Sequence, residues 1–115
     1  MNSLKEIAKI KENWAILLNT LNPLLESQPT NSDLLCLRGE TLLYMERNDE
    51  AVLDFRRALE LEPNSIQVLN GLGNALGNLK GWDESLSFYN RAIECDSTKA
   101  FLYRNRADVF LKTGK

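Results

Sequence analysis

Apolar and polar positions follow a helical spacing along this chain, and the spacing itself recurs. Leu35, Gly39 and Leu42 fall at steps of four and three, as do Leu69, Gly73 and Leu76, so each trio forms a stripe on one helix face. Beyond a polar break at Arg47-Asn48-Asp49 or Lys80-Gly81, a second stripe follows: Ala51, Phe55, Ala58 in one copy and Ser85, Tyr89, Ala92 in the other. This predicts a second helix. Asp49-Glu50 and Asp83-Glu84 put carboxylates at its start, where free N–H groups and the positive end of the helix dipole favour them. Pro63-Asn64 and Asp96-Ser97-Thr98 are expected to end it and to cap the next helix. Each copy is therefore a helix hairpin. Gly39, Gly73 and Ala107 facing Ala51 or Ser85 would let two backbones approach closely, with Phe55 and Tyr89 filling the remaining space.

The two copies lie 34 residues apart and share eight identities without a gap, among them Leu35 with Leu69, Gly39 with Gly73, Arg57 with Arg91 and Ala58 with Ala92. Average composition gives about two by chance, so this is an internal repeat. A third copy starts at Ala100, with Tyr103, Ala107 and Phe110 in the slots of Leu69, Gly73 and Leu76, and runs for about half a unit. One period before the first copy, Trp14 falls in the slot of Trp82 and Leu17, Leu21, Leu24 and Pro29 in those of Ala51, Phe55, Ala58 and Pro63. The divisions expected are a degenerate repeat or capping helix over 1–31, full repeats over 32–65 and 66–99, and the first helix of a further repeat over 100–115, all in one solenoid. The N-terminal segment predicts a long or broken helix from about Ser3 to Ser27, because Pro23 removes a backbone donor and should kink or split it near Asn22.

The pattern resembles the tetratricopeptide repeat family. The matching residues are Leu35, Gly39, Leu42, Ala51, Phe55, Ala58 and Pro63 in the first full copy, and Leu69, Leu72, Gly73, Leu76, Trp82, Ser85, Tyr89 and Ala92 in the second. Arg38 and Arg106 stand where that family prefers leucine, Asn48 where it prefers an aromatic, and Ser97 where it usually has proline. The resemblance implies an all-α, right-handed superhelical solenoid of antiparallel hairpins whose first helices line a concave groove. It also implies a non-catalytic module that binds an extended peptide or partner protein, in the manner of a scaffold or adaptor. The alternative reading is a structural segment that stacks end to end within a larger assembly.

Composition narrows the chemistry. With 43% hydrophobic and 26% charged residues the chain is suited to a packed core rather than to disorder. A formal charge of −2 gives no field to draw it onto nucleic acid or anionic lipid. The absence of histidine removes Ser-His-Asp and Cys-His pairs and the paired-histidine zinc helices, so no enzyme, metal or cofactor is expected. Cys36 and Cys95 lack any Cys-x-x-Cys spacing and suit reduced thiols, and no apolar run is long enough for a bilayer, so the expected setting is cytoplasmic.

Four features invite stronger readings. Asn70-Gly71-Leu72-Gly73-Asn74-Ala75-Leu76-Gly77 mimics a dinucleotide-binding glycine loop, but Leu76 stands where the third glycine belongs, and Gly73 shares a slot with Gly39 in a copy without such a loop. The acidic run Glu46, Asp49, Glu50, Asp54 reads as a solvated helix start, with nothing to split carboxylate pKa values for acid–base work. Cys36 has no basic neighbour in sequence to stabilise a thiolate, and Trp14 and Trp82 read as packing residues.

The groove residues that the resemblance implies are Leu37, Glu40 and Tyr44 from the first unit, Gln67, Asn70, Asn74 and Asn78 from the second, and Phe101, Arg104, Asn105 and Asp108 from the third. Cys36, Gly71, Gly77 and Lys112 fall beside them. Asn70, Asn74 and Asn78 at i, i+4, i+8 would offer amides to a peptide main chain, with Gly71 and Gly77 making room; the alternative is that Asn74 bonds to a neighbouring repeat and the others meet water. Some family members clamp the C-terminal carboxylate of heat-shock chaperones with lysine, asparagine and arginine. Here Cys36, Glu40, Gly71, Phe101 and Asn105 hold the corresponding slots, four of them without the needed side chain, so that activity is not expected. Charge runs from −4 in the first repeat (4 basic, 8 acidic residues) to +3 over 100–115 (4 basic, 1 acidic), which would orient a ligand with its basic end toward Glu40 and its acidic end toward Arg104. Leu102, Val109 and Phe110 are expected to be incompletely covered, which leaves a fragment, a cap kept soluble by Arg104, Arg106 and Lys112, or self-association through the C-terminal helix as readings.

Overall fold

The computed structural model describes residues 4–114, so Met1, Asn2, Ser3 and Lys115 of the terminal segments lie outside the described residues. Six helices follow in order: α1 (Leu4–Ser27), α2 (Ser32–Tyr44), α3 (Asn48–Leu61), α4 (Ile66–Asn78), α5 (Trp82–Cys95) and α6 (Ala100–Thr113). There is no strand among the described residues. Two helix starts are held by side chains: Asn31 Oδ1 accepts from the Leu34 N–H at 3.1 Å and Ser65 Oγ from the Val68 N–H at 3.4 Å. Helices α3 and α5 have no such cap and rely on the first-turn acids Asp49-Glu50 and Asp83-Glu84. The Asp96-Ser97-Thr98 break does not cap α6 through a side chain; Asp96 Oδ1 instead accepts from the N–H and hydroxyl of Thr98, and Lys99 stands at the cap.

The hairpin turns repeat with the sequence. The N–H groups of Glu46 and Arg47 donate to the carbonyls of Leu43 and Leu42, and those of Lys80 and Gly81 to Gly77 and Leu76. Both Glu46 (φ 62°) and Lys80 (φ 64°) adopt the left-handed conformation that closes this kind of helix end.

Within a unit α2 packs on α3 and α4 on α5; between units α3 packs on α4 and α5 on α6, while α1 packs on α2. Helices α2, α4 and α6 also touch in succession along one side. Every slot read as core in both full repeats is buried: Leu35 and Leu69, Leu42 and Leu76, Ala51 and Ser85, Phe55 and Tyr89, Ala58 and Ala92. The space over Gly39 and Gly73 is filled by the rings of Phe55 and Tyr89. Ser85 adds a hydrogen bond, its hydroxyl donating to the Gly73 carbonyl at 2.7 Å.

Of the two forms expected for the N-terminal segment the structure has the long one: helix α1 runs unbroken through Pro23 and buries Leu18, Leu21 and Leu25, whereas Leu24, in the slot of Ala58, is partly exposed. Two further readings are corrected. Asp54 is not solvated: it is buried and accepts from Arg38 Nε and Nη2 at 2.7 and 2.8 Å. That pair explains the arginine in the leucine slot, because a buried carboxylate needs a charged, hydrogen-bonding partner. Leu102 and Val109 are buried, while Phe110 is open to solvent as expected, together with Phe101, Tyr103 and Leu111.

Candidate binding groove

Because the repeat is 34 residues long, equivalent positions on α2, α4 and α6 stand side by side. Glu40, Asn74 and Asp108 share one slot, Tyr44, Asn78 and Lys112 another, and Leu37, Gly71 and Asn105 a third. Tyr44, Asn74, Asn78, Asn105, Asp108 and Lys112 surround one cleft of about 300 Å³, together with Trp82 and Tyr89 from α5. Glu40 and Gln67 meet across α2 and α4, the Gln67 Nε2 donating to Glu40 Oε1 at 3.1 Å. Leu37, Phe101 and Arg104 are exposed and do not line this cleft.

The asparagines of α4 do not form an unoccupied strip. Asn70 Oδ1 accepts from Asn105 Nδ2 of α6 at 2.9 Å, Asn74 Oδ1 accepts from the Tyr89 hydroxyl of α5, and Asn78 Nδ2 donates to Asn48 Oδ1 of α3 at 3.0 Å. Each amide is thereby turned: with its oxygen toward Tyr89, the Asn74 NH2 group is directed away from α5. Helical spacing places the three residues on one face but says nothing of the neighbouring helices that fix their orientation.

Gly71 does not floor the groove. A β-carbon there would come 2.6 Å from two carbons of the Phe55 ring, so the position belongs to the packing between the first and second units. Cys36 is likewise buried, and its thiol is pushed up to about 12, first by desolvation and then by the carboxylates of Glu40, Asp33 and Glu62. It stays a neutral thiol. The Tyr89 hydroxyl is raised to about 12 by burial, with the Asp108 charge adding to it, so it remains a donor at neutral pH.

Sequence reasoning missed two aromatic features. Trp14 of α1 stacks on Tyr44, with ring centroids 4.9 Å apart and planes 14° from parallel, which ties this cleft-lining ring to the N-terminal helix. Tyr89 reaches the cleft from the second helix of its unit, and its equivalence to the fully buried Phe55 hides this, since only the hydroxyl distinguishes the two. Among the described residues no three His, Cys, Asp or Glu side chains gather as a metal site, and no helix is long and apolar enough to cross a membrane.

Residues 32–65 match the family model described as Tetratricopeptide repeat. With six antiparallel helices repeating at that period, the fold is the all-α solenoid of the tetratricopeptide repeat proteins. A crystal structure of MamA superposes with a TM-score of 0.84 over 99% of this chain and 67% of that one, at 18% identity. The first tetratricopeptide repeat domain of Spaghetti (RPAP3), bound to the HSP90 peptide SRMEEVD, superposes with a TM-score of 0.85 over 90% of this chain and 82% of that one, at 14% identity. By sequence, the chain is 29% identical to a DnaJ homolog subfamily C member 7 homolog of Schizosaccharomyces pombe over 76% of its own length, and spans 22% of that protein.

Proposed function

We propose that this chain is a non-catalytic protein-interaction module that receives an extended peptide or a partner segment along α2, α4 and α6. The observation that carries this reading is the cleft at Tyr44, Asn74, Asn78, Asn105 and Asp108, where amides already turned by intramolecular bonds stand beside stacked aromatic rings. Preset amides lose little freedom when they pair with a main chain, and aromatic faces supply apolar contact without demanding one side chain. Glu40 and Gln67 extend the polar lining toward the first unit, and Leu37, Phe101 and Arg104 are exposed on the same three helices.

The RPAP3 domain supports the general mode, since a domain of this fold takes a peptide. The acidic C-terminal type of ligand is not proposed here, because buried Cys36, Glu40 and Gly71 cannot supply the cationic and amide donors of a carboxylate clamp. Two reduced cysteines, Cys36 buried and Cys95 exposed, fit a cytosolic setting.

Selection from a displayed peptide library, followed by backbone amide shift mapping of the best binder on the 115-residue protein, tests the reading. The expected perturbations centre on Tyr44, Asn74, Asn105 and Asp108, and Asn74→Leu abolishes binding with the helical content unchanged. Perturbations confined to α3 and α5, or unchanged binding in Asn74→Leu, would overturn it.

A further inference from the structure

The hydrogen bonds within the cleft bias its polar atoms toward accepting. Asn78 and Asn105 are each held through Nδ2, which donates to Asn48 Oδ1 at 3.0 Å and to Asn70 Oδ1 at 2.9 Å, so Oδ1 is left as the acceptor that each offers a guest. Asn74 is turned the other way, its oxygen taken by the Tyr89 hydroxyl. Asp108 stands one turn beyond Asn105 on α6; it is exposed, lines the same cleft and makes no ion pair among the described residues. Its charge is felt at the Tyr89 hydroxyl, which it helps to keep protonated. Glu40, the carboxylate in the sister slot on α2, already accepts from Gln67 Nε2 and from the Cys36 thiol. Two aromatic rings complete the lining. Trp82 is half-buried, and Tyr44 remains 64% exposed with Trp14 stacked on it.

Resting on the groove reading above, we propose that the peptide received by this cleft is selected by one arginine side chain, whose guanidinium donates to Asp108, Asn78 Oδ1 and Asn105 Oδ1 against the rings of Tyr44 and Trp82. A guanidinium carries several N–H donors in one plane and no acceptor, so it can serve a carboxylate and two amide oxygens together. The ammonium of lysine is a compact, strongly hydrated point charge and matches such a set less well. Aromatic faces add attraction for the planar cation, most of all an indole. A carboxylate side chain in the same place would meet three oxygens and no partner for its charge except Lys112, so the cleft works against acidic guests as well as for basic ones. Lys112 lies in the last turn of α6, where the helix dipole favours a cation, and also borders the adjoining cleft with Lys80, which Asp108 does not. The division of labour follows from the amide orientations: the NH2 of Asn74 is left for a main-chain carbonyl of the peptide, and the oxygens of Asn78 and Asn105 for its side chain.

The probes are fluorescein-labelled peptide pools with arginine, lysine, glutamine or glutamate fixed at the central position and the other positions randomised, titrated with the 115-residue protein by anisotropy. The arginine pool is expected to bind about tenfold more tightly than the glutamine pool, with lysine between them and glutamate weakest. Asp108→Asn weakens the arginine pool about tenfold and leaves the glutamine pool unaffected. Glutamine binding as tightly as arginine, glutamate binding best, or an arginine preference that survives Asp108→Asn overturns the inference. Backbone amide shift mapping separates its failure from that of the groove reading. Shifts at Tyr44, Asn74 and Asn105 that are the same for every pool would overturn the arginine alone, whereas shifts confined to α3 and α5, or no binding by any pool up to about 1 mM, would overturn both.

Discussion

The ring of Phe55 lies against the backbone of Gly71 so closely that a β-carbon on that residue would sit 2.6 Å from two ring carbons. The same ring also occupies the space over Gly39, so one side chain of α3 joins α2 to α4 and fastens the first unit to the second.

Gly71→Ala should therefore destabilise the fold by about 1–3 kcal/mol, even though alanine favours a helix by about 1 kcal/mol over glycine. Urea denaturation followed by circular dichroism measures this. Adding Phe55→Leu to Gly71→Ala should recover part of the loss; if the double variant is worse by the sum of both single changes, the clash is not the cause.

The buried pair of Arg38 and Asp54 leads to a second expectation. Arg38→Leu leaves a carboxylate buried without its partner and should cost about 3 kcal/mol. Arg38→Leu combined with Asp54→Phe gives the first unit the residues that the second unit buries in the equivalent slots, Leu72 and Phe88, and should return the denaturation midpoint to near that of the unchanged protein. A double variant no more stable than the single one would mean that the first unit cannot accept the apolar pairing.

Alkaline pH should weaken the fold through Cys36. Its folded-state pKa, about 12, lies above the ordinary value of 9.0, so the contribution is intact below pH 9 and is lost as pH rises from 9 toward 12. Tyr89, raised from 10.0 to about 12, acts in the same direction. Chemical denaturation across this range should show a shallower decline for Cys36→Ala. Thiol titration at pH 8 should find Cys95 reactive and Cys36 protected until the protein unfolds.

The hairpin turns permit a stabilising change. Glu46 and Lys80 hold a left-handed conformation that costs a side chain about 1 kcal/mol, so Glu46→Gly and Lys80→Gly should leave stability unchanged or raise it slightly, against the general penalty for glycine. A fall of more than about 1 kcal/mol in thermal unfolding would show that these side chains contribute contacts of their own.

The helices and their core faces were readable because each core slot appears twice at a fixed interval, and Leu35 and Leu69, or Ala58 and Ala92, are buried for the same reason. Residues outside the repeating signature were not readable in this way. Gly71 has leucine and asparagine in its sister slots, so nothing in the period ties it to Phe55. Asp54 sits in an acidic run that looks solvated until α2 brings Arg38 across from 16 residues away. Leu102 and Val109 were expected to lack cover because a second helix was sought for the third unit, whereas α5 of the unit before provides it. The asparagines show the same gap: one helix's periodicity places them together, but Tyr89, Asn48 and Asn105 decide where they point.

Trp82 lines the cleft itself, and Trp14 lies flat on Tyr44, one of its lining residues, so one indole of the chain is in the cleft and the other is a single ring away from it. The molecule thus carries its own optical reporters. A guest seated against the phenol of Tyr44 changes the emission of a tryptophan that it does not touch, and occupancy can be followed without attaching a dye to either party.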